Sequence, residues 1–212
     1  MKLEKIEPLD SPNYLRLIFD DGKRLKAPAF KVVELGLAIG AEVSPEDFLA
    51  LENAQSFASC KERAVRILTA SGLSKKELQK RLVQKGEREE DADAAVSWLE
   101  ELHLIDDLET AKQLVRSANL RGYGRARAKS ILYEKGIPKE LWDKALEEFG
   151  ETDGAIDAFL RKKLSGRTLD QKTIKKAVDA LIRRGHSYHD IQEGLRRLEA
   201  DCEPIDTWED ME

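Results

Sequence analysis

Three glycines, each preceded by a basic residue, divide most of this chain into units of nearly equal length. Lys85-Gly86, Lys135-Gly136 and Arg184-Gly185 lie 50 and then 49 residues apart. The surrounding apolar residues recur in step. Leu82, Leu132 and Leu181 stand four places before the glycines, and Ala92, Trp142 and Ile191 six places after. Val96, Leu146 and Leu195 follow at the tenth place, and Leu99, Phe149 and Leu198 at the thirteenth. A small residue recurs at the ninth: Ala95, Ala145, Gly194. A fixed period of this length is the mark of a tandem array, in which each unit buries its apolar face against its neighbours. Arrays offer long surfaces rather than deep catalytic pockets.

Each unit resolves into three helices. The first gives 56–70, a helix capped by Ser74 with Glu77 three residues on, and 89–102. The second gives 107–119, 124–135 and 138–149, with Pro138 at a first turn. The third gives 153–164, 169–184 and 187–199. Such short helices are marginal alone, so packing has to stabilise them. The repeated glycine is read as the helix stop, where positive φ is required. Trp142 and Phe149 occupy places that are aliphatic in the sister units, so they are read as core.

The N-terminus differs. Lys2–Glu7 and Tyr14–Phe19 are β-leaning runs, and Asp21-Gly22 signals a tight turn before Lys23–Lys26. Segments 29–37 and 45–52 read as short helices, the latter capped by Ser44 with Pro45 at its first position. The expected architecture is mainly α. It is a tandem array of three three-helix repeats, elongated and curved, preceded by a small N-terminal module containing a β-hairpin. The expected divisions are 1–53 (module), 54–105, 106–150 and 151–199 (repeats), and an acidic tail, 200–212, expected to be disordered.

Charge decorates these units unevenly. The chain carries a formal net charge of −5. Residues 1–110 have a net charge of −6 and residues 111–198 a net of +8, and residues 199–212 hold seven acids and no base. A basic body between acidic segments suits an anionic partner. Between positions 116 and 136 of the second repeat, Arg116, Arg121, Arg125, Arg127, Lys129 and Lys135 meet only Glu134; in the third, Arg161, Lys162, Lys163, Arg167, Lys172, Lys175 and Lys176 meet only Asp170. At about 100° per residue, Ile174, Ala177, Val178, Leu181 and Ile182 form one apolar stripe. Lys172, Lys176 and Arg183 fall together on the opposite face. The turn Gly122-Tyr123-Gly124 leads into a basic helix N-terminus at Arg125, where amides and the helix dipole favour an anion, and Tyr123 is a candidate for base stacking. Against each reading stands a plainer one: lysines that keep a helix soluble, glycines that a loop needs, a tyrosine without a partner.

Nothing in the pattern points to catalysis. His103, His186 and His189 have no cysteine or second histidine at metal-ligand spacing. The Gly122-Tyr123-Gly124 turn lacks the Lys-Ser/Thr ending of a phosphate loop, and Asp106-Asp107 is placed to cap a helix. No cofactor and no metal are expected. The absence of a long apolar run, and two isolated cysteines (Cys60 and Cys202), suit a reducing cytoplasm without a membrane span, and a monomer is expected.

Leu73-Ser74-Lys75-Lys76-Glu77-Leu78 with Leu82 and Lys85-Gly86, then Leu104-Ile105-Asp106-Asp107 with Ala111, then Arg121-Gly122-Tyr123-Gly124-Arg125 leading to Leu132 and Lys135-Gly136-Ile137, resemble the RecX family of recombination regulators. The resemblance covers roughly 57–198, and the hairpin-bearing N-terminus is similar to an extension carried by some members. It implies tandem three-helix repeats that bind the RecA recombinase filament on single-stranded DNA, lie along its helical groove, and inhibit its ATPase, strand-exchange and co-protease activities. That places the chain in DNA repair, recombination and the SOS response, with RecA and single-stranded DNA as partners. Members often carry an arginine shortly before the serine of the first repeat's second helix. Thr69-Ala70-Ser71-Gly72-Leu73 stands there in this chain, so no contact is carried over at that place. The residues alone leave two other readings: a direct DNA-binding protein built from three-helix units, and a helical protein–protein adaptor.

Overall fold

The computed structural model describes residues 1–70, 72–164 and 171–201. Arg167 and the acidic tail from residue 202 onward lie outside the described residues. The chain divides into two compact units, Met1–Ile105 and Asp106–Glu212.

The first unit opens with a three-stranded antiparallel sheet, β1 (Leu3–Pro8), β2 (Tyr14–Phe19) and β3 (Arg24–Pro28), in that spatial order. Leu17 pairs with Ile6 on one side and Leu25 on the other. Asp21-Gly22 makes the tight turn the sequence requires. Gly22 has φ +82°, its N–H donates to the Phe19 carbonyl oxygen, and the Asp21 carboxylate accepts from the Lys23 N–H at 3.0 Å. A short helix follows, α1 (Ala29–Glu34). The buried faces of Leu3, Leu17, Phe19, Leu25 and Ala27 close over Val32, Val43 and Leu51. Phe48 meets Phe19 edge-on, with ring centroids 5.3 Å apart.

Leu51 and Phe48 belong to α2 (Pro45–Ala70), 26 residues long. This corrects the sequence reading, which expected separate helices over 45–52 and 56–70. No glycine or proline occurs between Glu46 and Ala70, so nothing interrupts the backbone ladder. Residues 53 and 54, where module and repeat were expected to meet, lie inside it. The first half of α2 packs on the sheet. In its second half Cys60 and Ala64 enter another core with Leu78 and Leu82 of α3 (Lys75–Gln84) and Ala92, Ala95, Val96 and Leu99 of α4 (Glu89–Glu101). Two cores, each with its own phase, share one helix.

Caps fix the ends of these helices. Ser44 Oγ accepts from the Asp47 N–H at 3.0 Å and donates to the Asp47 carboxylate at 2.7 Å. Ser74 Oγ accepts from the Glu77 N–H at 3.1 Å. Between α2 and α4 runs a polar latch. Arg88 forks onto the buried Asp91 carboxylate at 2.8 and 3.1 Å and donates to Asn53 at 2.8 Å, while Ser56 Oγ donates to Asp91 at 2.6 Å. Burial pushes the Asp91 pKa up, but the hydrogen bonds from Arg88 and Ser56 outweigh it and hold the carboxyl below its ordinary value.

The second unit holds α5 (Asp107–Leu120), α6 (Arg125–Glu134), α7 (Trp142–Ala145), α8 (Asp153–Leu164), α9 (Gln171–Arg183) and α10 (Tyr188–Asp201). Asp106 caps α5, accepting from Leu108 N–H at 2.7 Å and Glu109 N–H at 3.2 Å. The sequence reading expected one helix over 138–149. In its place the chain makes a 3₁₀ turn over Lys139–Leu141, the single turn of α7, and another 3₁₀ turn over Leu146–Glu148. Trp142 Nε1 donates to the Ile137 carbonyl oxygen at 3.0 Å. That bond ties the indole back across the entry turn, and Phe149 ends the segment in extended backbone. Trp142 and Phe149 both pack against the core of Ala111, Val115, Ala118, Ala128 and Leu132, as the repeat pattern requires. Ile156, Leu160, Leu181 and Ile191 centre the third repeat's core. There Arg197 of α10 grips Asp157 of α8 at 2.9 and 3.1 Å. Gly86, Gly136 and Gly185 have φ of +90°, +67° and +87°, which makes them helix stops.

Asp91→Asn is expected to lower the unfolding free energy by roughly 2 kcal/mol, because it removes a carboxylate that accepts charge-assisted hydrogen bonds. A group whose folded pKa is depressed stabilises above its unfolded pKa, about 3.9, and loses that stabilisation as pH falls toward the folded value. Urea titrations should therefore show the gap between wild type and Asp91→Asn narrowing as pH drops below about 4.

Candidate functional site

The turn at Gly122-Tyr123-Gly124 is where the sequence placed an anion, and there the second unit joins its two repeats. The Gly124 N–H donates to the Arg184 carbonyl oxygen at 2.9 Å and the Ala126 N–H to the Gly185 carbonyl oxygen at 3.1 Å. Arg127 and Ala128 donate their N–H groups back to the Gly124 carbonyl oxygen. Two of the amides that open α6, those of Gly124 and Ala126, are thus taken by carbonyls at the close of α9, the positive end of one helix dipole against the negative end of the other. Both backbones come too close for a side chain. A Cβ on Gly124 would lie 2.1 Å from the Gly185 oxygen, and one on Gly185 would lie 2.2 Å from the Arg127 nitrogen. The glycines serve the joint, and these amides are committed to protein acceptors.

Tyr123 shares that fate. It is half-buried against the second-repeat core, and the Arg184 guanidinium sits 5.8 Å from its ring centre and 5.1 Å from that of Phe159. In the sequence Arg184 stood out only as the basic residue before a repeat glycine, not as a candidate site residue. Its place between two rings on different repeats only becomes visible once the joint is formed. His186 completes the fastening. It is 6% exposed, and its Nε2 lies 3.1 Å from the Gly122 carbonyl oxygen. Burial holds its pKa below the ordinary value and the Arg184 charge acts in the same direction, against the pull of the Gly122 carbonyl and Asp190. It is a neutral donor within the joint.

The basic residues fall into two groups. Some are engaged by carboxylates. Arg116 bonds Glu109 at 2.9 Å and Glu148 at 3.4 Å, and Arg127 bonds Glu134 at 2.7 Å. Lys135 and Arg161 each have an interaction partner as well. Others stand outward. Arg121, Arg125, Lys129, Lys162, Lys163, Lys172, Lys176 and Arg183 are exposed. Arg125, Lys129 and Tyr133 succeed one another at four-residue spacing along α6, with Tyr133 71% exposed. The aromatic ring open to solvent on this helix is therefore Tyr133, not Tyr123. The sequence held that signal in the period of the row. On α9, Lys172, Lys176 and Arg183 share the outward face, and none has an ion pair among the described residues. The apolar stripe opposite them is wider than the core. Ala177 and Leu181 are buried, whereas Ile182 is 48% exposed and lines, with Ile174, Val178 and Tyr188, a groove of about 730 Å³ that Lys172 and Lys175 flank.

Two family models match the chain: RecX, first three-helix domain, over residues 60–99, and RecX, second three-helix domain, over 106–146. The regulatory protein RecX of Vibrio parahaemolyticus is 32% identical over 139 residues, 65% of this chain and 90% of that protein. The chain belongs to the RecX family. The RecX protein of Clostridium beijerinckii is 28% identical over 207 residues, 94% of this chain and 96% of its own length. A crystal structure of regulatory protein RecX superposes with a TM-score of 0.75 at 21% identity, covering 91% of this chain and 98% of that one. RecX from Lactobacillus salivarius superposes at 0.63 and 22% identity, covering 69% and 99%. These two similarities carry the fold: a mainly helical RecX chain with a small N-terminal sheet.

No group of three or more His, Cys, Asp or Glu among the described residues could hold a metal ion, and no described helix is long and apolar enough to cross a membrane. Cys60 lies in the first-repeat core. Burial, aided by the Glu87 and Asp91 charges, pushes its thiol up to about 11, which suits packing rather than reactivity.

The joint generates a pH prediction. A base whose folded pKa is depressed leaves the unfolded chain binding more protons, so stability is full above the unfolded value, about 6.5, and falls as pH drops through it. The urea midpoint of the wild type should decline between about pH 7 and 5.5, and His186→Gln should flatten that decline. Gly124→Ala should cost on the order of 3 kcal/mol or more. A fully stable Gly124→Ala chain would contradict the close backbone crossing.

Proposed function

We propose that this RecX-family chain regulates homologous recombination by binding the RecA recombinase filament on single-stranded DNA. In this reading it inhibits ATP hydrolysis, strand exchange and co-protease activity, and so bears on DNA repair and the SOS response. It works by occupancy, as a cytoplasmic monomer that needs no cofactor and makes no covalent change in its partner. Family membership supports the reading, since the relatives are named regulatory proteins. The observation in this chain that carries it is the outward cationic row Lys172, Lys176 and Arg183 on α9, with no ion pair among the described residues. A row of this kind costs nothing in core packing and attracts a polyanionic filament over a distance set by ionic strength. Arg121, Arg125 and Lys129 extend the basic decoration onto the neighbouring repeat, and Tyr133 adds an exposed ring.

Added to preformed filaments, the purified chain should suppress the DNA-stimulated ATPase of the cognate recombinase and co-sediment with them. Lys172→Glu/Lys176→Glu/Arg183→Glu should raise the concentration for half-inhibition at least about tenfold, roughly 1.4 kcal/mol, with an unchanged thermal melt. Absence of both inhibition and co-sedimentation would overturn the proposal. Tight, steeply salt-dependent binding to bare DNA without filament preference would favour a direct DNA-binding protein. Full activity of the triple variant would favour an adaptor whose basic face is only solvated.

A further inference from the structure

The first repeat gave no sign of an anionic partner, because its acids and bases cancel when added together. The fold separates them. From Cys60 to Lys85 the sequence holds eight basic side chains and two acidic ones, all on the second half of α2, on α3 or at the C-cap of α3. α4 takes the acids: Glu89, Glu90, Asp91, Asp93, Glu100 and Glu101, with no base. Beside α2 and α3 lies an open groove of about 480 Å³ lined by Arg63, Arg66, Ile67, Ala70, Arg81 and Lys85. No carboxylate is in that lining among the described residues. Arg63 is held in place by Glu87. Arg66 and Lys85 are exposed and have no ion pair among the described residues. Arg66 also lines a second groove of about 480 Å³ with Lys61, Glu62, Val65 and Trp98, so the two adjoin along α2. There Lys61 Nζ stands 4.4 Å from the ring centres of both Phe57 and Trp98.

We propose that the α2–α3 groove binds the phosphodiester backbone of a single-stranded nucleic acid, with Arg66 and Lys85 contacting phosphates. Arginine matches a phosphate with two parallel N–H donors and lysine supplies a mobile point charge. The floor is apolar at Ile67 and Ala70, and the adjoining groove is apolar and aromatic at Val65 and Trp98. Cationic rim and apolar floor side by side match the alternation of phosphate and base along one strand. An acidic protein surface would satisfy the rim and leave the floor unmatched. The site lies wholly in the Met1–Ile105 unit, apart from the rows on α6 and α9, and needs no recombinase to be tested.

The experiment titrates the full-length chain into a fluorescein-labelled oligo-dT of about twelve nucleotides, a length within the usual single-strand site sizes. Anisotropy is read between about 50 and 200 mM salt. Arg66→Glu/Lys85→Glu should weaken binding at least tenfold at the lowest salt. Arg66→Gln/Lys85→Gln should reduce the slope of log affinity against log salt by about 1.4, about 0.7 for each lost phosphate contact. Arg66→Lys/Lys85→Arg should bind nearly as wild type. Unchanged affinity and slope in the first two variants, with melts matching wild type, would overturn the proposal. So would displacement of the oligonucleotide by poly-glutamate of equal charge at equal concentration, which would assign the groove to an acidic protein. Filament ATPase inhibition measured on the same variants keeps the two readings apart: its loss bears on regulation, whereas oligonucleotide binding alone decides the groove.

Discussion

The amides of Gly124 and Ala126 must find acceptors, since the first N–H groups of a helix have none within it. In the second unit they find them on Arg184 and Gly185, and much about the two repeats follows from that choice. The backbones close to a distance that excludes a Cβ on either glycine. Arg184 is drawn between Tyr123 and Phe159, and His186 is buried as a neutral donor to Gly122. The joint also takes up part of the helix end that looked ready for a phosphate, because the Gly124 and Ala126 amides already face carbonyls.

In the first unit α2 plays the corresponding part by being unbroken. Its first half seals the sheet with Phe48 and Leu51, and its second half supplies Cys60 and Ala64 to a three-helix core. The latch of Arg88, Asp91, Ser56 and Asn53 fastens α4 to its middle. A helix of 26 residues spans about 39 Å, so one rod fixes the hairpin module and the first repeat to each other. This is the form that joining a β module to a helical repeat takes when no glycine or proline separates them.

Charge behaves differently from packing in what it lets a reader infer. Summed along the chain, it marked the second and third repeats as basic and residues 1–110 as acidic. In the fold, Arg116 and Arg127 are occupied by glutamates a turn or more away, while Arg66 and Lys85 of the first repeat stand open beside a groove. Coulomb attraction depends on which groups meet across space, and a sum over a sequence window cannot contain that. The tyrosines illustrate the same limit. Tyr123 was prominent because it lies in a glycine turn, yet of the two tyrosines in that repeat it is Tyr133, four places beyond Lys129, that stands in solvent.

The sequence alone determined the repeat, its helix stops, most of its caps and the hairpin turn, along with the resemblance that family matches later bore out. Each of these depends on residues near one another in the chain: a glycine at positive φ, a serine three places before the N–H it caps, an apolar period set by 3.6 residues per turn. Tertiary structure alone decided that 45–70 is one helix serving two cores, that 139–148 is a broken turn fastened by Trp142, and that the Gly122–Gly124 turn is a joint. It also decided which cations are left to meet a partner. Those outcomes turn on contacts such as Gly124 with Arg184, about sixty residues apart, and Ser56 with Asp91. Such contacts leave no local pattern, because either partner alone looks like an ordinary loop or helix residue until the fold brings the other to it.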